Sequence, residues 1–163
     1  MTMSIRKLLI ALTLSASTAW AHPDLNNASK YVTTELSVTG AVEHPLKLDV
    51  NDLRQFPLEQ QQNRNGVTLR ALLDRAKVIS SNHNDVKKMA IIATASDGYA
   101  VVYSWSEIFN SPIGESVLIF FEKDGKALAD DEGRIAMIST KDLRTGPRHV
   151  RWLKSIEIRK IVD

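Results

Sequence analysis

The densest chemistry in this chain lies near its end, where it reads RTGPRHVRWLKSIEI from Arg144 to Ile158. Arg144, Arg148, His149, Arg151 and Trp152 fall within nine residues. Guanidinium groups donate to carbonyl and ring-nitrogen acceptors, and both guanidinium and indole stack on planar rings. Such a set is a dense group of anion donors beside one large flat ring. Arg148 and Trp152 are four apart, so they share a face if the stretch makes a helical turn. The alternative for the same residues is a core tryptophan flanked by solvated arginines.

A second group is Ser96-Asp97-Gly98-Tyr99. A carboxylate such as Asp97 accepts two hydrogen bonds from an amidine-like N–H edge, with Tyr99 beside it. Asp-Gly is also a strong hairpin-turn signal, and the turn is the weightier reading.

Other chemistries lack their residues. There is no cysteine, which removes thiolate catalysis and thiolate metal ligation. His22, His44, His83 and His149 show no ligand spacing, so no metal site is expected. The acidic tract Asp130-Asp131-Glu132 reads as a solvated turn. No nucleophile elbow, P-loop or dinucleotide fingerprint occurs.

The elements that must position these groups are mostly strands. Thr34–Gly40, Pro45–Val50, Tyr99–Tyr103, Arg134–Ser139 and Ser155–Ile161 carry strand patterns. Lys88–Ser96 and Val117–Glu122 are apolar runs expected as buried strands. Val67–Ile79 has helical periodicity, with Thr68 a cap. Asn51–Phe56 suggests a short helical turn, and Ser104 to Glu107 forms a capping box opening another. Leu58–Gly66 is polar and reads as a loop, as does His22–Lys30. The pattern predicts a β-rich, mixed-sheet α+β domain.

Export is expected. Arg6 and Lys7 precede an apolar run over Leu8–Ala16, and Ala19-Trp20-Ala21 is a small-x-small cleavage site. The reading is a signal peptide over 1–21 and one domain over 22–163, periplasmic and not membrane-spanning. Arg6-Lys7 is not a twin-arginine pair, which fits Sec-type export. The chain has 21 basic against 19 acidic side chains, so losing Arg6 and Lys7 leaves a balanced charge. A generic nucleic-acid binder is not expected.

In order, LSVTGAVEHPLKLDVNDLRQFP, GVTLRALLDRA, DGYAVVYSWSEI, VLIFFEKDGKAL, EGRIAMIS and RHVRWLKSIEI resemble the molybdopterin-binding domain of the sulfite oxidase family. The resemblance covers nearly all of residues 22–163. It implies the mixed α+β sulfite-oxidase fold, with the segment from Arg148 to Trp152 against a pterin. The family holds molybdenum through a cysteine thiolate, which this chain lacks, so no molybdenum is expected. Small exported relatives of this fold look like pterin-binding regulators that act with membrane-anchored sensors controlling cyclic di-GMP. The resemblance thus implies a non-enzymatic pterin receptor, with Trp152, Arg148, His149, Arg151, Asp97 and Tyr99 as ligand residues and a sensor's periplasmic domain as partner. The alternative is a molybdopterin oxidoreductase with non-thiolate metal ligation.

Overall fold

A computed structural model describes residues 25–80, 82 and 84–162. The expected signal peptide, the cleavage site, His22 and His83 lie outside the described residues. Two five-stranded sheets share one core. The first has the order β2 (Leu46–Leu48), β1 (Leu36–Gly40), β10 (Leu153–Lys160), β5 (Met89–Ala95), β6 (Ala100–Ser104). β1 and β10 run parallel; the other pairs are antiparallel. The second sheet runs β3 (Glu59–Gln61), β4 (Arg64–Thr68), β7 (Val117–Lys123), β8 (Lys126–Ala127), with β9 (Ala136–Ser139) also on β7.

Strand patterning decides which side chains enter the core. β1 buries Leu36 and Val38, and β6 buries Val101 and Tyr103, by period-two alternation. β7 is apolar from Val117 to Phe121, where both of its faces are covered. Val117, Ile119 and Phe121 join the main core, while Leu118 and Phe120 join a smaller cluster with Leu128, Ala136 and Ile138. That second cluster supports the 128–133 loop, which shapes the site described below.

Helices close the main core. α1 (Val50–Leu53) starts from an Asp49/Asp52 capping box. α2 (Leu69–Ala76) is capped by Thr68 and buries Leu69, Leu72, Leu73 and Ala76. It is shorter than the periodicity of Val67–Ile79 predicts. Val67 is the buried partner of Ile119 in the sheet, and Lys77 ends the helix at a left-handed φ of 59°. α3 (Trp105–Phe109) opens from the Ser104/Glu107 capping box, and Trp105 stacks on Phe109.

Two stretches expected as loops are ordered elements. Leu58–Gly66 contains β3 and most of β4. These polar residues form a hairpin because β4 pairs along β7, so tertiary pairing overrides weak local propensity. Within His22–Lys30, the described part enters a 3-10 segment over Leu25–Tyr31. It is held by Ser96 Oγ donating to Tyr31 C=O, and Thr33 Oγ1 bonds to Leu153 C=O just after it. Among the described residues, no helix is long and apolar enough to cross a membrane.

β4 and β7 approach closely at a bulge between Asn65 and Gly66. A Cβ on Gly66 would stand 2.1 Å from the Ile119 carbonyl oxygen. Gly66→Ala is therefore expected to destabilise the protein by about 1–3 kcal/mol, read by urea unfolding. A midpoint equal to the parent's would contradict this packing.

Candidate ligand-binding site

The Arg144–Trp152 segment is not a continuous helix. Gly146–Arg148 makes one 3-10 turn with Pro147, Val150 bridges to Met137, and Trp152 sits at φ 49° before β10 begins. A left-handed φ is uncommon for a large residue and needs surrounding contacts to hold it. Here they are dense. Trp152 N–H donates to Glu132 C=O at 3.0 Å, Ser96 N–H donates to Trp152 C=O at 3.0 Å, and the indole N–H donates to Asp130 C=O at 2.7 Å. The ring is 2% exposed and tilts against Tyr31 with centroids 5.2 Å apart. Trp152 is thus a buried clamp on the 130–133 loop.

Arg148 turns to other partners, so the shared Arg148–Trp152 face expected from a helical turn does not form. Its guanidinium makes a two-pronged ion pair with Asp142, with Nε 2.6 Å from Oδ2, and reaches Glu107 Oε1 at 3.1 Å. It also lies 4.6 Å from the Tyr103 ring centroid. The hydrogen bonds it donates to Asp142 hold Arg148 protonated even more firmly than usual, and Arg148 in turn holds the Asp142 carboxyl below its ordinary range. Burial pushes the Tyr103 hydroxyl well up, against the opposing charge of Arg148. That hydroxyl is buried without a hydrogen-bond partner among the described residues.

Asp97 and Tyr99 complete the hairpin turn. Asp97 Oδ1 accepts from Tyr99 N–H at 2.9 Å, and Tyr99 Oη donates to Pro147 C=O at 2.7 Å. Tyr99 thereby braces the 140–148 loop against β6.

Arg151 and His149 converge on a residue that the sequence reading left in solvent. Glu132 is buried, not part of a solvated turn. Trp152 and Gly133 explain the difference. Gly133 has φ 88°, and a Cβ there would meet Trp152 Cα at 2.9 Å, so the loop is drawn tightly under the indole. His149 Nε2 lies 3.1 Å and Arg151 Nε 3.3 Å from Glu132 Oε2. The His149 contact is at ion-pair distance but poorly aligned, leaving Nε2 without a well-formed hydrogen bond. Both ion pairs of Glu132 engage Oε2, and among the described residues no hydrogen bond reaches Oε1. Burial opposes ionisation of Glu132, but His149, then Arg151 and Lys123, outweigh it and hold the carboxyl below its usual range.

Glu132 and Arg151 line a cavity of about 390 Å³ with Lys123, Lys126, Leu128 and Asp131. Three cationic side chains there face three acidic ones, Asp124, Asp131 and the recessed, ionised Glu132, with Ala127 and Ala129 between them. That combination fits a small planar molecule with an N–H edge and acceptor groups. A larger groove of about 490 Å³ lies between β2, the α1–Pro57 turn and α2, lined by Leu46, Phe56, Asp74 and Arg75 among others. It holds none of the residues singled out from the sequence.

With the geometry in place, likeness to known proteins defines the fold. No family model and no curated protein matches the sequence. The structure is similar to the crystal structure of the sulfane dehydrogenase SoxCD from Paracoccus pantotrophus, with a TM-score of 0.60 and 19% identity. The match covers 82% of this chain and 39% of that one, so this chain spans well under half of its neighbour. The protein has the mixed α+β fold of the sulfite oxidase type.

The residues present do not fit the family's metal. The chain has no cysteine to supply the thiolate. Among the described residues, no three His, Asp or Glu side chains gather as a ligand set.

Asp142 provides a stability test. Its carboxyl is depressed in the folded protein, so its contribution is fully present above the unfolded value of about 3.9 and is lost as pH falls through the folded value. Asp142→Asn is expected to lose about 1–3 kcal/mol near neutral pH. The gap from the parent should shrink as pH falls below about 4. Urea unfolding across this range reads the effect; a pH-independent gap would contradict it.

Proposed function

We propose that this is a non-enzymatic pterin-binding protein of the periplasm. In this reading, occupancy is relayed to the periplasmic domain of a membrane-anchored sensor that controls cyclic di-GMP. The observation that carries the ligand assignment is an ionised, recessed Glu132 at the cavity beside Arg151, with no hydrogen bond to its Oε1 among the described residues. A pterin presents adjacent N–H donors on its pyrimidine edge, which a carboxylate accepts as a pair. Arg151 and Lys123 supply donors for its carbonyl and ring nitrogens, and Ala127 and Ala129 give a small apolar surface beside the ring.

The remaining residues of the original set take supporting parts. His149 balances Glu132, and Trp152 fixes the loop that carries it. Arg148, Asp97 and Tyr99 brace the neighbouring 140–148 loop, through which occupancy reaches the surface. A ligand signals only if it binds the partner-competent form more tightly than the other. The export pattern of residues 1–21 supports the periplasmic location, and the absence of cysteine favours metal-free pterin over a molybdenum enzyme.

Two results are expected. Protein purified from its native periplasm should release a fluorescent pterin on denaturation, identified by mass, without stoichiometric molybdenum. Glu132→Gln should weaken binding of neopterin about ten-fold or more, since a charge-assisted hydrogen bond carries about 1.5–3 kcal/mol. Stoichiometric molybdenum, or unchanged neopterin affinity in a folded Glu132→Gln, would overturn the reading.

A further inference from the structure

Phe121 is an extra residue in β7. Asn65 stands opposite Glu122 and Gly66 opposite Phe120, so β7 carries one residue more than β4 at this point. Directly opposed side chains share a face, and successive residues of β4 alternate. Gly66 and Phe120 therefore lie on one face, Asn65 and Glu122 on the other, and Arg64 and Lys123 return to the face of Phe120. Lys126 joins them, because it stands opposite Lys123 in the β7–β8 hairpin. The contacts agree. The Arg64 guanidinium lies 5.3 Å from the Phe120 ring centroid. On the other face Arg54 reaches both Glu122 and the Phe121 ring.

The bulge thus lines up Arg64, Lys123 and Lys126 across three adjacent strands. Like charges directly opposite one another are destabilising. Among the described residues none of the three has an ion pair. Nearby acids are engaged elsewhere. Asp124 Oδ1 accepts from Asn63 Nδ2 at 2.8 Å, Glu132 holds His149 and Arg151, and Glu122 faces away with Arg54. Even with every acid that lines the cavity included, Arg64, Lys123, Lys126 and Arg151 outnumber Asp124, Asp131 and Glu132. Arg64 Nη1 donates only to neutral groups, Gln62 Oε1 at 2.8 Å and Asn63 Oδ1 at 3.2 Å. Its Nε is buried without a hydrogen-bond partner among the described residues, an uncommon and costly state for a donor. Phe120, under Arg64, also meets the His149 ring with centroids 6.1 Å apart, and His149 contacts Glu132. The row is thereby linked to Glu132, and Lys123 and Lys126 line the same cavity.

We propose that Arg64, Lys123 and Lys126 form a subsite for an oxyanion, the phosphate or carboxylate group of a small ligand. Neighbouring strands lie about 4.8 Å apart, so two adjacent cations reach two oxygens of one such group. The anion relieves the repulsion within the row and gives Arg64 Nε an acceptor. As to the molecule that carries it, the proposal rests on the pterin reading: the ring edge meets Glu132, and an anionic group on the ring's substituent meets the row.

Two titrations test it. Inorganic phosphate, followed by backbone amide shifts of labelled protein, is expected to move Arg64 and residues 123–126 saturably, and less as salt is raised. Lys126→Gln, at an exposed position, should weaken phosphate binding about five-fold or more without lowering the melting temperature. In the second titration, neopterin monophosphate or pterin-6-carboxylate should bind the parent about ten-fold or more tighter than neopterin. That ratio should fall in Lys126→Gln and in Arg64→Gln, with thermal melts as the folding control. The tighter of the two anionic probes identifies the group. Phosphate shifts at the row with no binding of any pterin would support the subsite and refute the pterin reading. Phosphate shifts that are absent, or spread evenly over surface lysines, would overturn the subsite whether or not neopterin binds. So would equal affinity for neopterin and both anionic forms, which leaves the pterin reading intact.

Discussion

The packing of Trp152 against the 130–133 loop is the constraint on which the candidate site depends. One residue joins three parts of the chain. Its backbone receives Ser96 and donates to Glu132, its indole N–H reaches Asp130, and its ring meets Tyr31. Gly133 makes the fit possible, because any side chain there would collide with Trp152. The outcome is a carboxylate held inside the protein surface, facing cations that keep it ionised. Burying a charge without partners is costly. His149 and Arg151 offset that cost through Oε2. A carboxylate held in this way is ready to accept a ligand's donors with no rearrangement.

A second constraint organises the neighbouring loop. Arg148 is bound by Asp142 and Glu107 and lies over Tyr103, so the most conspicuous arginine of the segment holds structure together. It fastens the 140–148 loop to α3 and β6. The cavity at Glu132 and the strand β6 are therefore linked along the chain by one short stretch from Asp142 to Trp152.

Much of the fold was legible because it is local. The apolar runs of β5 and β7 need little more than their composition to be recognised as buried strands, and the Ser104/Glu107 box announces α3 from residues three apart. The order of motifs also carried the family resemblance in fold. The β3–β4 hairpin was not legible, because its polar residues are ordered by pairing with β7 far along the chain. The site was half legible. Arg151, His149 and Trp152 were marked by type, but their grouping required a turn that is not helical and a tryptophan at positive φ. Glu132 was missed because an acidic run after a turn is usually solvated, and its burial is imposed by Trp152 and Gly133. The glycine following Glu132 was the one local sign of a tight loop.

The central claim is that the cavity beside Glu132 and Arg151 receives a pterin. Backbone amide spectra of isotopically labelled protein titrated with neopterin test it most directly. The account predicts saturable shifts concentrated in residues 123–133 and 149–152, with smaller changes along 140–148. Absence of saturable shifts, or shifts centred on the groove formed by Leu46, Phe56, Asp74 and Arg75, would contradict it.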